Sequence, residues 1–233
     1  MLILGIDTAT PQVGCAIGGH EGVIASFSVA RGKRHTETLV PAIDFVCRQA
    51  HVELDEIGAI AVDVGPGLFT GLRVGVATAK AMASALRVPV VGVSSLDLLA
   101  FPLRWSNRRI VSIVDARRGE VFYASYRQVP GGVQRLTDPQ VGTPERLCNE
   151  IQATGEECLA VGDGARRYAD ELIDLIKVEI ADAGLAHPAP QSLVQLAHAR
   201  ALREEFVNAW DLQPIYLRKA DAEINWVSRE RDH

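Results

Sequence analysis

Short apolar blocks broken by glycine, proline and acidic residues set the pattern of the chain. Residues 2–6 form one such block ending at Asp7, residues 13–17 a second, and residues 23–29 a third in which polar positions interleave. Thr8, Pro11, Gly18, Gly19 and Gly22 occupy the breaks, and this turn chemistry predicts a three-stranded meander. The basic, glycine-containing stretch 31–34 reads as an exposed connection. The period then changes. From 36 to 51, Leu39, Val40, Ile43, Val46, Cys47 and Ala50 fall at helical spacing. Pro41 should delay or kink that helix, because its ring removes a backbone hydrogen bond. An apolar run at 59–64 predicts a buried strand, and the helical pattern 70–86 follows it after Gly65-Pro66-Gly67. A strand at 89–93 and a short helix at 95–100 complete the order β-β-β-α-β-α-β-α.

The composition turns polar and basic around 102–109, which places a boundary between units 1–106 and 107–233. The theme then repeats. Strands are predicted at 109–114, 120–129 and 133–136, a helix at 144–153, a strand at 158–161, and a helix opened by Gly162-Asp163-Gly164 and running to about 177. A further amphipathic helix covers about 191–206, and the polar tail after Ala220 reads as mobile. A meander followed by αβα therefore occurs twice, an internal repeat of topology with little repeat of sequence.

The helix at 70–86 carries an unusual stripe. Gly71, Gly75, Ala79 and Ala83 recur every four residues and share one face. Glycine costs about 1 kcal/mol against alanine inside a helix, so a close neighbour is expected there. That neighbour is either the chain's own sheet or a helix of another chain. Thr70 is placed to cap the helix. Gly65-Pro66-Gly67 resembles a phosphate loop only weakly: the Gly-Lys-Ser/Thr ending is missing, and the glycine spacing of the dinucleotide fingerprint is absent.

Composition narrows the class. With 233 residues, 48% hydrophobic and 23% charged, the chain suits one large domain or two smaller ones. No apolar run approaches the ~20 residues that span a bilayer, and the start lacks a signal peptide's basic region and cleavage site. Cys15, Cys47, Cys148 and Cys158 form no CxxC pair and read as reduced core residues of a cytoplasmic protein; the histidines show no metal-ligand spacing. A net charge of −5 equips the chain poorly to hold RNA alone, since phosphate contacts need Lys and Arg.

Several stretches together carry a family resemblance. Ile3-Leu-Gly-Ile-Asp-Thr-Ala-Thr10, Arg34-His-Thr-Glu37, Gly65-Pro-Gly-Leu-Phe-Thr-Gly-Leu-Arg73, Ala77-Thr-Ala-Lys80, Asp115-Ala-Arg-Arg-Gly-Glu-Val-Phe-Tyr-Ala124 and Pro214-Ile-Tyr-Leu-Arg218 resemble, in order, the TsaB (YeaZ) family. The resemblance implies an α/β, actin/Hsp70-like (ASKHA) fold of two similar lobes, each a mixed sheet with flanking helices. It also implies a non-catalytic role beside TsaD, a relative of the same fold, and the ATPase TsaE. That complex transfers a threonylcarbamoyl group to the adenosine following the anticodon of tRNAs reading codons that begin with A. No cofactor is then required by this chain alone, ATP or ADP belongs mainly to the complex, and tRNA is met only through it.

The residues can be tested against catalysis. TsaD-like subunits carry an HxxxH metal pair where this chain reads Ser94-Ser95-Leu96-Asp97-Leu98. Asp7 with Thr8, and Asp115, stand at strand ends where an ATPase of this fold works around magnesium; their plainer role is to cap turn N–H groups. The turn Asp115-Ala-Arg-Arg-Gly119 replaces glycines with arginines, whereas Gly162 and Gly164 retain the look of an adenosine loop. A small-molecule kinase of this fold would need an intact phosphate turn, and a protease would need HExxH or GxSxG; neither appears. A partner surface is expected where the helices 36–51 and 70–86 lie side by side. The first contributes Leu39, Ile43, Val46 and Cys47. The second contributes Gly71, Val74, Gly75, Thr78, Ala79 and Met82. A TsaD-like subunit, or a second copy of this chain in its absence, would cover it.

Overall fold

Two sheets of like topology organise the chain, and the computed structural model describes residues 1–30 and 35–218. The expected connection at 31–34 and the tail lie outside the described residues. Strands β1 (Leu2–Asp7), β2 (Val13–Gly19) and β3 (Gly22–Val29) form the meander. β4 (Ile57–Gly65) and β5 (Val90–Ser94) then add in parallel, giving the order β3-β2-β1-β4-β5. β1 and β4 are buried on both faces, as central strands beside parallel neighbours are, so they read as unbroken apolar runs. β3 lies at the edge and alternates.

The second sheet repeats this plan. β6 (Arg109–Arg117), β7 (Glu120–Val129) and β8 (Gly132–Arg135) form its meander, with β9 (Gln140–Gly142) also paired to β7. β10 (Cys158–Val161) and β11 (Val178–Ile180) extend it in parallel, in the order β11-β10-β6-β7-β8. The doubled plan is the repeat of topology expected from the sequence. Sequence patterning missed β9 and β11, which are only three residues long.

Helix α1 (His35–Ala50) keeps Pro41 inside it, on an exposed position. α2 (Phe69–Leu86) begins one residue before the expected start. Its cap position is Leu68, so the capping role expected of Thr70 is not realised; Thr70 is exposed in the first turn. α3 (Ser95–Ala100) follows β5, and α4 (Pro144–Thr154) opens on Thr143, whose hydroxyl accepts the Arg146 N–H. The single helix expected from 162 to 177 is instead two short pieces, α5 (Asp163–Arg167) and α6 (Ala169–Ile173), followed by β11. Tyr168 at the junction has φ −109° and ψ 38°, outside helical geometry.

α7 (Pro190–Ala201) is shorter than expected and lies on the first sheet, not the second. Leu193, Val194, Ala197 and Ala201 pack with Ile3, Ala16, Ala59 and Ala61. A methyl group at Gly18 would lie 2.4 Å from the Gly22 carbonyl oxygen and 2.9 Å from Val194 Cγ1, so this glycine serves both the close approach of β3 and the seat of the helix. The first lobe by packing therefore includes α7, and Leu212 also joins its core. This departs from a division at residue 106. Among the described residues no helix is long and apolar enough to cross a membrane.

Candidate functional site

The floor of the first lobe is a pair of buried carboxyl groups. Asp7 ends β1 and Asp63 stands near the end of β4, each essentially without solvent exposure. Asp7 Oδ1 accepts the Ala9 N–H at 3.0 Å, the turn-capping role foreseen for it. Asp63 Oδ1 accepts from the Gly65 N–H at 2.7 Å and from the Ser95 hydroxyl at 2.6 Å. Neither Oδ2 atom has a hydrogen-bond partner in the chain. Burial pushes both groups up, Asp63 to about 6 and Asp7 well above its ordinary range, with the neighbouring Asp63 charge adding to the rise at Asp7. Sequence reading missed Asp63 and Ser95. The available signal was an aspartate set inside the apolar run 59–64.

Thr8 closes this floor against α2. Its hydroxyl donates to the Gly71 carbonyl at 2.7 Å. A methyl group at Gly71 would lie 2.0 Å from the Thr8 carbonyl oxygen, and one at Gly75 would lie 2.4 Å from Thr8 Oγ1. The stripe Gly71, Gly75, Ala79, Ala83 is thus buried in the chain's own core. Its small residues are explained by approach to β1 and β4 and are not free to meet another helix.

In the second lobe, Asp115 Oδ1 accepts the Arg117 N–H at 2.9 Å, while Oδ2 lies 3.0 Å from the Arg117 guanidinium and 3.3 Å from that of Arg167. Asp163 Oδ1 accepts the Asp115 N–H at 3.0 Å. Burial raises the Asp163 pKa and lowers that of His187, with Asp163 partly opposing the latter. Gly162 and Gly164 are buried, and a methyl group at Gly162 would lie 2.1 Å from the Ile113 carbonyl oxygen. They serve close packing of α5 on β6. Of the expected nucleotide residues Asp7, Thr8, Asp115, Gly162 and Gly164, Asp115 lines an open cleft. That cleft, of about 360 Å³, separates the loop 67–70 from the turn 115–118 and is closed on one side by residues 215–218.

The start of α3 is the stretch Ser94-Ser95-Leu96-Asp97-Leu98. Ser94 caps the helix by accepting the Leu96 N–H, and Ser112 Oγ donates to the Leu96 carbonyl at 2.8 Å. Asp97, 15% exposed at its side chain, receives Tyr126 Oη at 2.9 Å, Arg135 at 2.5 Å and Arg200 at 3.2 Å. Arg200 also donates to the Gly92 carbonyl. One carboxylate thereby joins α3, α7 and the second sheet. Sequence reading could not see the three partners of Asp97, which are distant in the chain.

The outer faces of α1 and α2 bound a groove of about 660 Å³. Ile43, Cys47, Thr78 and Met82 line it, together with Val40, Val52 and Leu54. Val40 on the lining is 63% exposed, and Phe45, 47% exposed, adds apolar surface outside the groove. Val74 is half-buried beside it. Leu39 and Val46 are buried in the core beneath, as are Gly71, Gly75 and Ala79. The ten expected interface residues thus divide between an outer groove and an inner core.

Comparison with known proteins agrees with this architecture. The family model described as TsaD, tRNA N6-adenosine threonylcarbamoyltransferase, matches residues 28–226. The tRNA threonylcarbamoyladenosine biosynthesis protein TsaB of Bacillus subtilis is 29% identical over 99% of this chain and 100% of its own length. The TsaB protein of Escherichia coli is 29% identical over 94% of this chain and 95% of its own. The solved structure of YeaZ from Pseudomonas aeruginosa superposes with a TM-score of 0.80 at 28% identity, covering 93% of this chain and 99% of that one. The chain belongs to the TsaD family of tRNA N6-adenosine threonylcarbamoyltransferases, and within it to the TsaB (YeaZ) members.

Proposed function

We propose that this chain takes part in threonylcarbamoyladenosine biosynthesis on tRNA as a non-catalytic subunit. The names of its full-length relatives support the pathway. The observation that carries the non-catalytic role is the occupancy of the strand ends by the chain's own side chains. Ser95 is held by Asp63, and Asp97 is held by Tyr126, Arg135 and Arg200, so these groups are engaged before any substrate arrives. Docking to a TsaD-like subunit uses the groove between α1 and α2, whose apolar residues, flanked by Asp44, Arg48, His51 and Glu53, support a protein partner. A second copy of this chain occupies the groove when that subunit is absent. A TsaE-like ATPase joins the pair, ATP or ADP is bound mainly in the assembly, and the work is cytoplasmic.

Co-expression with the organism's TsaD-like protein, followed by size-exclusion chromatography with and without nucleotide, tests the assembly. A stable heterodimer is expected, together with threonylcarbamoyl transfer only when TsaD-like and TsaE-like proteins are both supplied. Steady ATP turnover by this chain alone, abolished by Asp7→Asn, would overturn the non-catalytic reading.

A further inference from the structure

The register of the first sheet sets Asp7 and Asp63 side by side. β1 and β4 run parallel with Ile6 opposite Val62, so the next step puts both aspartates on one face of adjacent strands, about 4.8 Å apart. That face is covered by α7: a methyl group at Gly5, two residues before Asp7, would meet Leu193 and Val194. The two carboxyls lie within hydrogen-bonding reach of each other. Their Oδ1 atoms are satisfied, by the Ala9 N–H at Asp7 and by the Gly65 N–H and Ser95 hydroxyl at Asp63. Their buried Oδ2 atoms receive nothing from the chain. Ionised carboxylates only accept, so two charged groups here could not satisfy each other. The neighbouring elements do not relieve the pair. Asp97 on α3 adds a like charge at Asp63. On α7, His198 stands in the last turn, and Arg200 is engaged by Asp97 and the Gly92 carbonyl. His187, in the stretch before α7, is engaged with Asp163. Strands β2 and β5 carry no charged side chain. On the opposite face, His35 of α1 bonds the Thr10 carbonyl, while Arg73 and Lys80 of α2 reach Phe69 and the Trp210 carbonyl. Among the described residues no third histidine, cysteine or carboxylate joins the pair in a metal-holding group.

We propose that the pair is a proton-binding latch: at neutral pH one proton sits between Asp7 Oδ2 and Asp63 Oδ2, so the two strand ends share a single negative charge and a hydrogen bond. Burial raises both groups, Asp7 the more, which makes Asp7 the donor and Asp63 the acceptor. The latch holds two loops. The Leu68 N–H donates to the Ala9 carbonyl at 2.7 Å, and Thr8 Oγ1 donates to the Gly71 carbonyl, so the loops 8–11 and 65–70 are tied to each other above the pair. Release of the proton to solvent puts two like charges at the root of both loops and loosens them together. Residues 67–70 wall the cleft facing the turn 115–118, so the setting of that wall depends on one proton.

The test is carboxyl-carbon NMR of the carbon-13-labelled full chain, titrated from about pH 4 to about pH 10. At about pH 7, Asp7 should be protonated and Asp63 ionised, each resonance showing both steps because the two sites are coupled. The Ala9 and Gly65 amides, which donate to the pair, should move with the same midpoints. Asp63→Asn removes the neighbouring charge and should weaken proton binding at Asp7 about tenfold or more. Ser95→Ala removes a donor to the charged form of Asp63 and should raise the lower midpoint instead, which keeps the test decisive if Asp63→Asn does not fold. Two ionised carboxyls at about pH 7, or midpoints that neither variant moves, would overturn the proposal. So would midpoints displaced by added magnesium chloride, which would put a cation between the oxygens. The measurement needs no partner, tRNA or ATP, so its failure is distinct from failure of the assembly and transfer assays.

Discussion

Thr8 Oγ1 donates to the Gly71 carbonyl oxygen across 63 positions of sequence, fastening the end of β1 to the first turn of α2. The contact explains why α2 tolerates glycines that weaken a helix. Gly75→Ala should gain roughly 1 kcal/mol of helix propensity and lose more by collision with Thr8, for a net destabilisation of about 1–3 kcal/mol. Urea unfolding checks it. The double variant Thr8→Ala/Gly75→Ala should be less destabilised than the two single changes added together.

The groove should behave in the opposite way. Thr78→Arg changes a half-buried position on the outer side of α2, so stability should move by no more than about 0.5 kcal/mol, whereas Met82→Glu, at a side chain packed against the core, should cost more. On the proposed docking, co-purification with a TsaD-like protein should be lost, because a charge would be left unpaired in the contact. Unchanged capture by folded variants would move the interface elsewhere.

Stability should fall with pH through the titration of the Asp7–Asp63 pair. Both folded pKa values are raised, so the folded state holds protons that the unfolded chain has released. Their contribution is complete below the ordinary carboxylate range and is lost as pH rises through about 6 for Asp63 and higher for Asp7. Thermal melts from about pH 4 to about pH 8 should decline more steeply for the native chain than for Asp7→Asn, whose amide cannot ionise.

Asp97→Ala should cost about 3–5 kcal/mol, since it strands Arg135 and Arg200 in partly buried positions. Hydrogen exchange should then accelerate in α7 and β8 together, because the same carboxylate holds both. Acceleration confined to one of them would show that the two arginines are held independently.

The doubled meander and the helices 36–51 and 70–86 were legible because strand and helix periods are local properties. The destination of a face was not. Gly71 and Gly75 announced a close neighbour, but only the fold identifies it as Thr8. Arg135 and Arg200 look like solvated charges in sequence and become partners of Asp97 only through tertiary placement. The break at Tyr168 escaped notice because the apolar spacing continues through it while the backbone does not.

The position of α7 sets an order of events during synthesis. β1 to β5 are complete by residue 94, yet the helix that covers Ile3, Ala16, Ala59 and Ala61 ends only at residue 201. At translation speeds of about 5–20 residues per second, one face of the first sheet waits roughly 5–20 s for its cover. A ribosome stalled within the second lobe would therefore present an apolar sheet face to chaperones, although every strand of that sheet had already been made.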